Sequence, residues 1–142
     1  MPVELECKLR VERHDEVRSA LEAAGAEYVG RVAETNTIFD SADGSLRRSE
    51  RALRVRSIEV LDGRGPEPTL TYKGPRQAGP FKRREEIETA IGDVESAVAM
   101  LRALGYIERL MFEKRRETWR IGACTVELDE VPTLGRFVEI VS

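Results

Sequence analysis

Glu4-Leu5-Glu6-Cys7-Lys8 alternates without a break. Successive side chains of an extended strand point to opposite faces. Glu4, Glu6 and Lys8 therefore share one face, and Val3, Leu5, Cys7 and Leu9 the other. Alone, the stretch reads as an ordinary strand with one wet face. Its weight comes from repetition further along the chain.

In Ala52 to Ser57, Leu53 and Val55 oppose Arg54 and Arg56. In Thr69 to Lys73, Leu70 and Tyr72 oppose Thr69, Thr71 and Lys73, and Gly74-Pro75 is expected to stop the strand. Lys82 to Thr89 sets Arg84, Glu86 and Glu88 against Ile87. Phe112 to Ile121 groups Lys114, Arg116, Thr118 and Arg120, and Ala123 to Asp129 groups Thr125, Glu127 and Asp129. The final strand holds Glu139 between Val138 and Ile140. Like charges two apart on a strand repel, and nothing in plain surface design favours such pairs. A cavity with one basic and one acidic wall does favour them.

Two helices complete the pattern. Asp15 to Ala24 places Val17, Ala20, Leu21 and Ala24 on one stripe, with Asp15 expected to cap its start and Gly25 to end it. Asp93 to Leu104 carries Val94, Ala97, Val98, Leu101 and Leu104, and Gly105 closes it. Tyr28 to Asp40 has strand composition, Ser41 to Ser45 is a turn, and Pro75 to Pro80 is a loop. About eight strands and two helices give an antiparallel α+β fold. One arrangement is a barrel with a polar lumen and the helices packed outside. The other is an open sheet with one wet face.

The 142 residues fit a single domain over 1–142. Charged residues make up 35%, yet the formal net charge is only −3, which argues against a nucleic-acid binder with its basic excess. No apolar run suits a membrane span or a secretion signal, so a cytoplasmic location is expected. Cys7 and Cys124 fall in the apolar phase of their strands, and both are expected as reduced, buried thiols without metal-type spacing. His14, the lone histidine, reads as a surface residue.

Taken together these segments resemble the CYTH domain, the fold of the triphosphate tunnel metalloenzymes. Glu4-Leu5-Glu6-Cys7-Lys8 is similar to the family's ExExK signature. The likeness continues in order through Asn36, Phe39-Asp40, Leu46-Arg47, Ala52 to Arg56 and Leu70 to Pro75. It runs on through Arg84 to Glu88, Leu104-Gly105-Tyr106, Lys114 to Arg116, Glu127 to Val131 and Leu134 to Ile140. Leu70-Thr71-Tyr72-Lys73-Gly74-Pro75 most resembles the class IV adenylyl cyclase branch. Ile38 stands where many members carry an aromatic hydroxyl, which lowers the thiamine triphosphatase reading. Val141 replaces the second acid of a closing Glu-x-Glu pair, and the chain stops sooner than many relatives do.

The resemblance implies a closed eight-stranded antiparallel barrel, a triphosphate tunnel that binds Mg²⁺ or Mn²⁺. Lys8, Arg54, Arg56, Lys73, Lys114 and Arg116, with Arg84 as a seventh, would then cradle the triphosphate. Glu4, Glu6 and Glu139 lead the metal ligands, followed by Asp129 and Glu127. Glu86 and Glu88 would serve a second metal or orient the bases, and Glu6, Lys8 and Asp129 would form the catalytic group. The expected activity is ATP cyclisation to cyclic AMP and pyrophosphate. The alternatives are hydrolysis of inorganic or organic triphosphate and non-catalytic nucleotide or polyphosphate binding. The expected partner is a nucleoside triphosphate or another triphosphate, not nucleic acid or membrane. A homodimer would compensate for the short C-terminus.

Overall fold

The structure, a computed structural model, describes residues 3–80 and 83–142, with the side chains of residues 3–5 outside the described part. The eight strands are β1 (Val3–Val11), β2 (Glu27–Ser41), β3 (Ala52–Gly63), β4 (Thr69–Gln77), β5 (Arg83–Ala90), β6 (Tyr106–Ile121), β7 (Cys124–Val131) and β8 (Gly135–Val141). Helices α1 (Asp15–Ala23), α2 (Ser45–Arg48) and α3 (Val94–Ala103) lie between them. The strands neighbour one another in the order β1-β5-β4-β3-β2-β6-β7-β8. The ladders whose registers are described are all antiparallel. The expected eight antiparallel strands with few helices are thus present.

The chain divides into two compact units. One comprises Met1–Glu4, Thr35–Ile58 and Pro66–Phe112; the other comprises Leu5–Glu34, Glu59–Gly65 and Glu113–Ser142. In the second unit, register puts Glu6 and Lys8 of β1, Glu139 of β8, Glu127 and Asp129 of β7 and Arg116 of β6 on one face. The opposite face carries Trp119, Val126, Leu128 and Val138, which are buried and form a core with Leu21 of α1. Val11, Val17 and Ala26 pack against that core. Helix α1 therefore covers the apolar side and leaves the charged side to the opposite face. Gly25 ends α1 at φ 74°, as a left-handed terminator should.

In the first unit, Arg54, Thr71 and Glu88 stand abreast on β3, β4 and β5. Phe39 and Val55 are its most deeply buried apolar residues. Asp93 caps α3 by accepting from the Ser96 amide at 3.2 Å and from its hydroxyl at 2.7 Å.

Several expectations need correction. His14, not Asp15, is the N-cap of α1, and its ring Nε2 lies 3.0 Å from the Phe137 carbonyl oxygen. Gly74-Pro75 does not stop β4; the ladder shifts register between Lys73 and Arg76 and continues to Gln77. A bulge there removes the need for an amide donor at Pro75. Strand β6 starts at Tyr106, six residues early, because Ile107, Leu110 and Met111 are exposed and break the alternation that marked its later half. Cys7 is exposed, since among the described residues of β1 only Val11 packs against the α1 core, and Cys124 is only half-buried. Helix α3 buries no residue fully, and Leu104 at the end of its stripe is 75% exposed.

Candidate functional site

The charged face of the second unit is organised by Arg116. Its Nε donates to Asp129 Oδ1 and its Nη2 to Oδ2, both at 2.8 Å, a two-pronged pairing. The same guanidinium reaches Glu127 at 2.9 Å, Glu139 at 3.4 Å and Glu34 at 3.6 Å. Lys114 Nζ lies 3.7 Å from Asp129. Arg116, Lys114, Asp129, Glu139 and Glu34 are all buried. Four carboxylates thus meet two cations with little water to screen them.

The titration behaviour follows from that imbalance. Burial pushes Glu127 up to about 7; Arg116 pulls the other way, while Glu139, Asp129 and Glu34 add to the rise. Burial likewise raises Glu139 against the pull of Arg116, and Glu6, hydrogen-bonded to it, adds to the rise. Burial works against Asp129 too, but the bonds from Arg116 and the charges of Arg116, Lys114 and Lys8 hold it below the usual carboxylate range. Burial opposes the Arg116 charge, yet its bonds to Asp129 and its acidic neighbours keep it protonated throughout. One carboxyl is left near neutrality beside one firmly ionised.

The first unit presents a second polar row. Arg54 Nη2 donates to Thr71 Oγ1 at 3.3 Å, and Thr71 Oγ1 donates to Glu88 Oε1 at 2.6 Å. Arg54 also pairs with Glu88 at 3.6 Å. Arg56 Nε donates to Asn36 Oδ1 at 2.8 Å. Asn36 and Thr71 have no exposed surface, so they act as fixed acceptors that aim the two guanidiniums. Lys73 stands opposite Glu86 in the β4–β5 register.

The predicted residues therefore sort into groups. Glu6, Lys114, Arg116, Glu127, Asp129 and Glu139 share the charged face of the second unit. Lys8 shares that face but is exposed, its ammonium 5.0 Å from the Phe137 ring centre. Arg54, Arg56, Lys73, Glu86 and Glu88 form the row in the first unit. Arg84 binds the Gly74 carbonyl at 2.8 Å and the Glu50 carbonyl at 3.1 Å. The Glu4 side chain lies outside the described residues. Sequence reasoning missed Glu34, Asn36 and Thr71 as site members. The structure shows the first two through burial, which alternates in β2 through Gly30, Val32, Glu34 and Asn36.

Whether a divalent ion suits the acids depends on donor chemistry. Glu6, Glu127, Asp129 and Glu139 offer only carboxylate oxygens, the donors that Mg²⁺ and Mn²⁺ prefer. Burial raises Glu127 and Glu139, which marks a cluster short of positive charge. Arg116 draws the acids onto itself, and among the described residues no three acid, His or Cys side chains are gathered for a metal. Among those residues, no helix is long and apolar enough to cross a membrane.

Comparison with known proteins adds an independent line. The profile described as CYTH domain matches residues 3–141. A Methanocaldococcus jannaschii relative provisionally named as an adenylate cyclase, MJ0240, is 30% identical over 97% of this chain and 75% of its own length. The Aeromonas hydrophila adenylate cyclase CyaB is 29% identical over 96% of this chain and 67% of its own. The solved PH1819 protein of Pyrococcus horikoshii superposes with a TM-score of 0.84 at 31% identity, covering 98% of this chain and 77% of that one.

Proposed function

Because the chain belongs to the CYTH domain family, we propose that it performs a divalent-metal-dependent reaction on a triphosphate. Conversion of ATP to cyclic AMP and pyrophosphate is the reaction it fits best. The names of two relatives and the Leu70 to Pro75 segment support cyclisation over hydrolysis. This reading takes the eight antiparallel strands to close round a charged lumen, the arrangement that the family resemblance implies.

One observation carries the reading: buried acids surround Arg116 and Lys114 on one face of the sheet. Burying about four phosphate charges without counter-charge is prohibitive, and only a basic row makes it feasible. On the family resemblance, Arg54, Arg56, Lys73 and Arg84 of the first unit, and Lys114, Arg116 and Lys8 of the second, would supply that counter-charge. Asn36 and Thr71 hold Arg56 and Arg54 in place, so less side-chain freedom is lost on binding. Glu6, Glu127, Asp129 and Glu139 would hold Mg²⁺ or Mn²⁺, joined by Glu4, with Glu86 and Glu88 available to a second ion. When bound, such an ion supplies positive charge to the phosphate oxygens.

The 3′-hydroxyl must give its proton to a base, and a carboxylate on the charged face that the ion leaves free would take it. The freed 3′-oxygen attacks the α-phosphorus, and pyrophosphate departs held by the basic row. Asp129, locked on Arg116, fixes that guanidinium instead of transferring protons. The test is phosphorus NMR of purified protein with ATP, and separately with tripolyphosphate, in Mn²⁺ or Mg²⁺. Cyclic AMP with pyrophosphate is expected. Orthophosphate would replace cyclisation by hydrolysis, and binding without turnover would leave a non-catalytic receptor.

A further inference from the structure

A pocket of about 960 Å³ opens in the first unit among the ends of several strands. Arg47, Arg48, Arg51, Arg76, Arg84 and Arg109 line it, against the acids Asp40, Asp43 and Glu50. The surplus is three positive charges, on a chain whose overall charge is −3. Such a concentration costs energy through mutual repulsion unless water or an anion relieves it.

Solvated surface arginines would relieve it by swinging apart. Here three are anchored instead. Arg84 is held by the carbonyls of Gly74 and Glu50. Arg109 Nη2 donates to the Ala42 carbonyl at 2.7 Å and to Ser41 at 3.4 Å. Arg51 Nε donates to Ser49 Oγ at 2.7 Å. These acceptors are uncharged, so they fix each guanidinium without neutralising it, and each guanidinium carries five N–H donors.

The loop that anchors Arg109 is itself rigid. Buried Asp40 accepts from the amides of Ser41 at 2.7 Å, Leu46 at 3.0 Å and Arg47 at 3.1 Å. Its carboxylate is thus held in place by the backbone it organises. Asp43 is engaged by Ser41 and by Arg48.

We propose that this pocket is a further anion-binding site, sharing only Arg84 with the bases assigned to the triphosphate, for a phosphorylated small molecule with two or more negative charges. The arginines arrive from α2, β4, β5, β6 and the residue before β3, and so approach from several directions. A tetrahedral phosphate has oxygens to meet them, whereas one planar carboxylate addresses two. The volume is at the upper end of small-molecule pockets and exceeds what a lone phosphate fills. Ile38, Ala52 and Leu110 give it an apolar flank.

The test is calorimetric titration without metal, using pyrophosphate and adenosine 5′-monophosphate as probes. Arg84 is common to the pocket and the phosphate row, so it is left intact. Arg47 and Arg76 are exposed, so replacing them leaves packing untouched. The double variant Arg47→Gln/Arg76→Gln is expected to lose at least tenfold in affinity, on the order of two weakened charge-assisted contacts. Arg47→Lys/Arg76→Lys is expected to keep most of it. Arg56→Ala, which cuts the triphosphate row, is expected to leave one class of binding intact. Tighter binding of the nucleotide assigns an organophosphate ligand, and tighter pyrophosphate an inorganic one. Unchanged affinity in the glutamine variant, loss of all binding in Arg56→Ala, or no binding by the unaltered protein would each overturn the proposal.

Discussion

At the scale of single residues, Arg116 decides the behaviour of its surroundings. Removing it leaves four carboxylates facing one lysine in a buried cluster. Breaking a buried pair by deleting one partner costs about 3–5 kcal/mol. Arg116→Ala is therefore expected to lose that much in urea unfolding at pH 7, and a loss below about 1 kcal/mol would show that water reaches the acids. Glu117 offers a test on the opposite face. It accepts from Arg18 at 3.0 and 3.1 Å and from the Trp119 indole at 2.7 Å. Burial works to raise its pKa, but these partners win and depress it. A depressed carboxyl adds stability above its unfolded pKa and loses it as pH falls through the folded one. Glu117→Gln should therefore be less stable than the parent at pH 7, with the gap closing below about pH 4.5, where the unfolded carboxyl takes up its proton. A gap that persists unchanged at pH 3 would mean that shape, not charge, is what Glu117 provides.

At the scale of elements, packing and chemistry sit on opposite sides of the same strands. Leu21 of α1 is buried against Trp119, Val126, Leu128 and Val138. Leu21→Ala should cost about 2–5 kcal/mol in thermal or urea unfolding while leaving triphosphate affinity unchanged. A large loss of affinity at full folding would couple the two faces. Gly30 tests a closer fit, since an added Cβ would lie 2.0 Å from the Arg64 carbonyl oxygen and 2.7 Å from that of Asp62. Both obstacles are backbone, so Gly30→Ala should strip more than about 2 kcal/mol from stability. These elements also separate what could be read in advance from what could not. Alternation located both faces wherever it ran clean, as in β7 and β8. It failed in early β6, where exposed Ile107, Leu110 and Met111 obey no single phase. It failed again at Pro75, because a bulge is a tertiary accommodation that local sequence does not announce. The roles inside the site were harder still. Asp129 and Glu127 lie two apart and both end in a carboxyl, and only their tertiary surroundings part them: the fork of Arg116 with nearby cations holds Asp129 ionised, while burial raises Glu127.

At the scale of the whole molecule, net charge conceals its distribution. The chain is −3 overall, yet 12 of its 23 Lys and Arg residues belong to the rows and the pocket described above. Recognition of a triphosphate by such rows is local, and salt screens it over about 8–10 Å. Raising sodium chloride from about 50 to about 300 mM should therefore weaken metal-free triphosphate binding several-fold by calorimetry, since the Debye length shortens over that range. An unchanged affinity would assign recognition to uncharged contacts.

Strand β6 serves two masters through parity alone. Its even positions, Lys114 and Arg116, supply charge, and its odd positions, Glu117 and Trp119, face α1. Inserting or deleting one residue upstream in β6 would exchange the two sets, driving arginine against leucine and tryptophan among carboxylates. Length changes there are survivable only in twos. In the history of such a chain, gaps in β6 should have been purged while point substitutions accumulated, so its descendants drift in spelling but not in count.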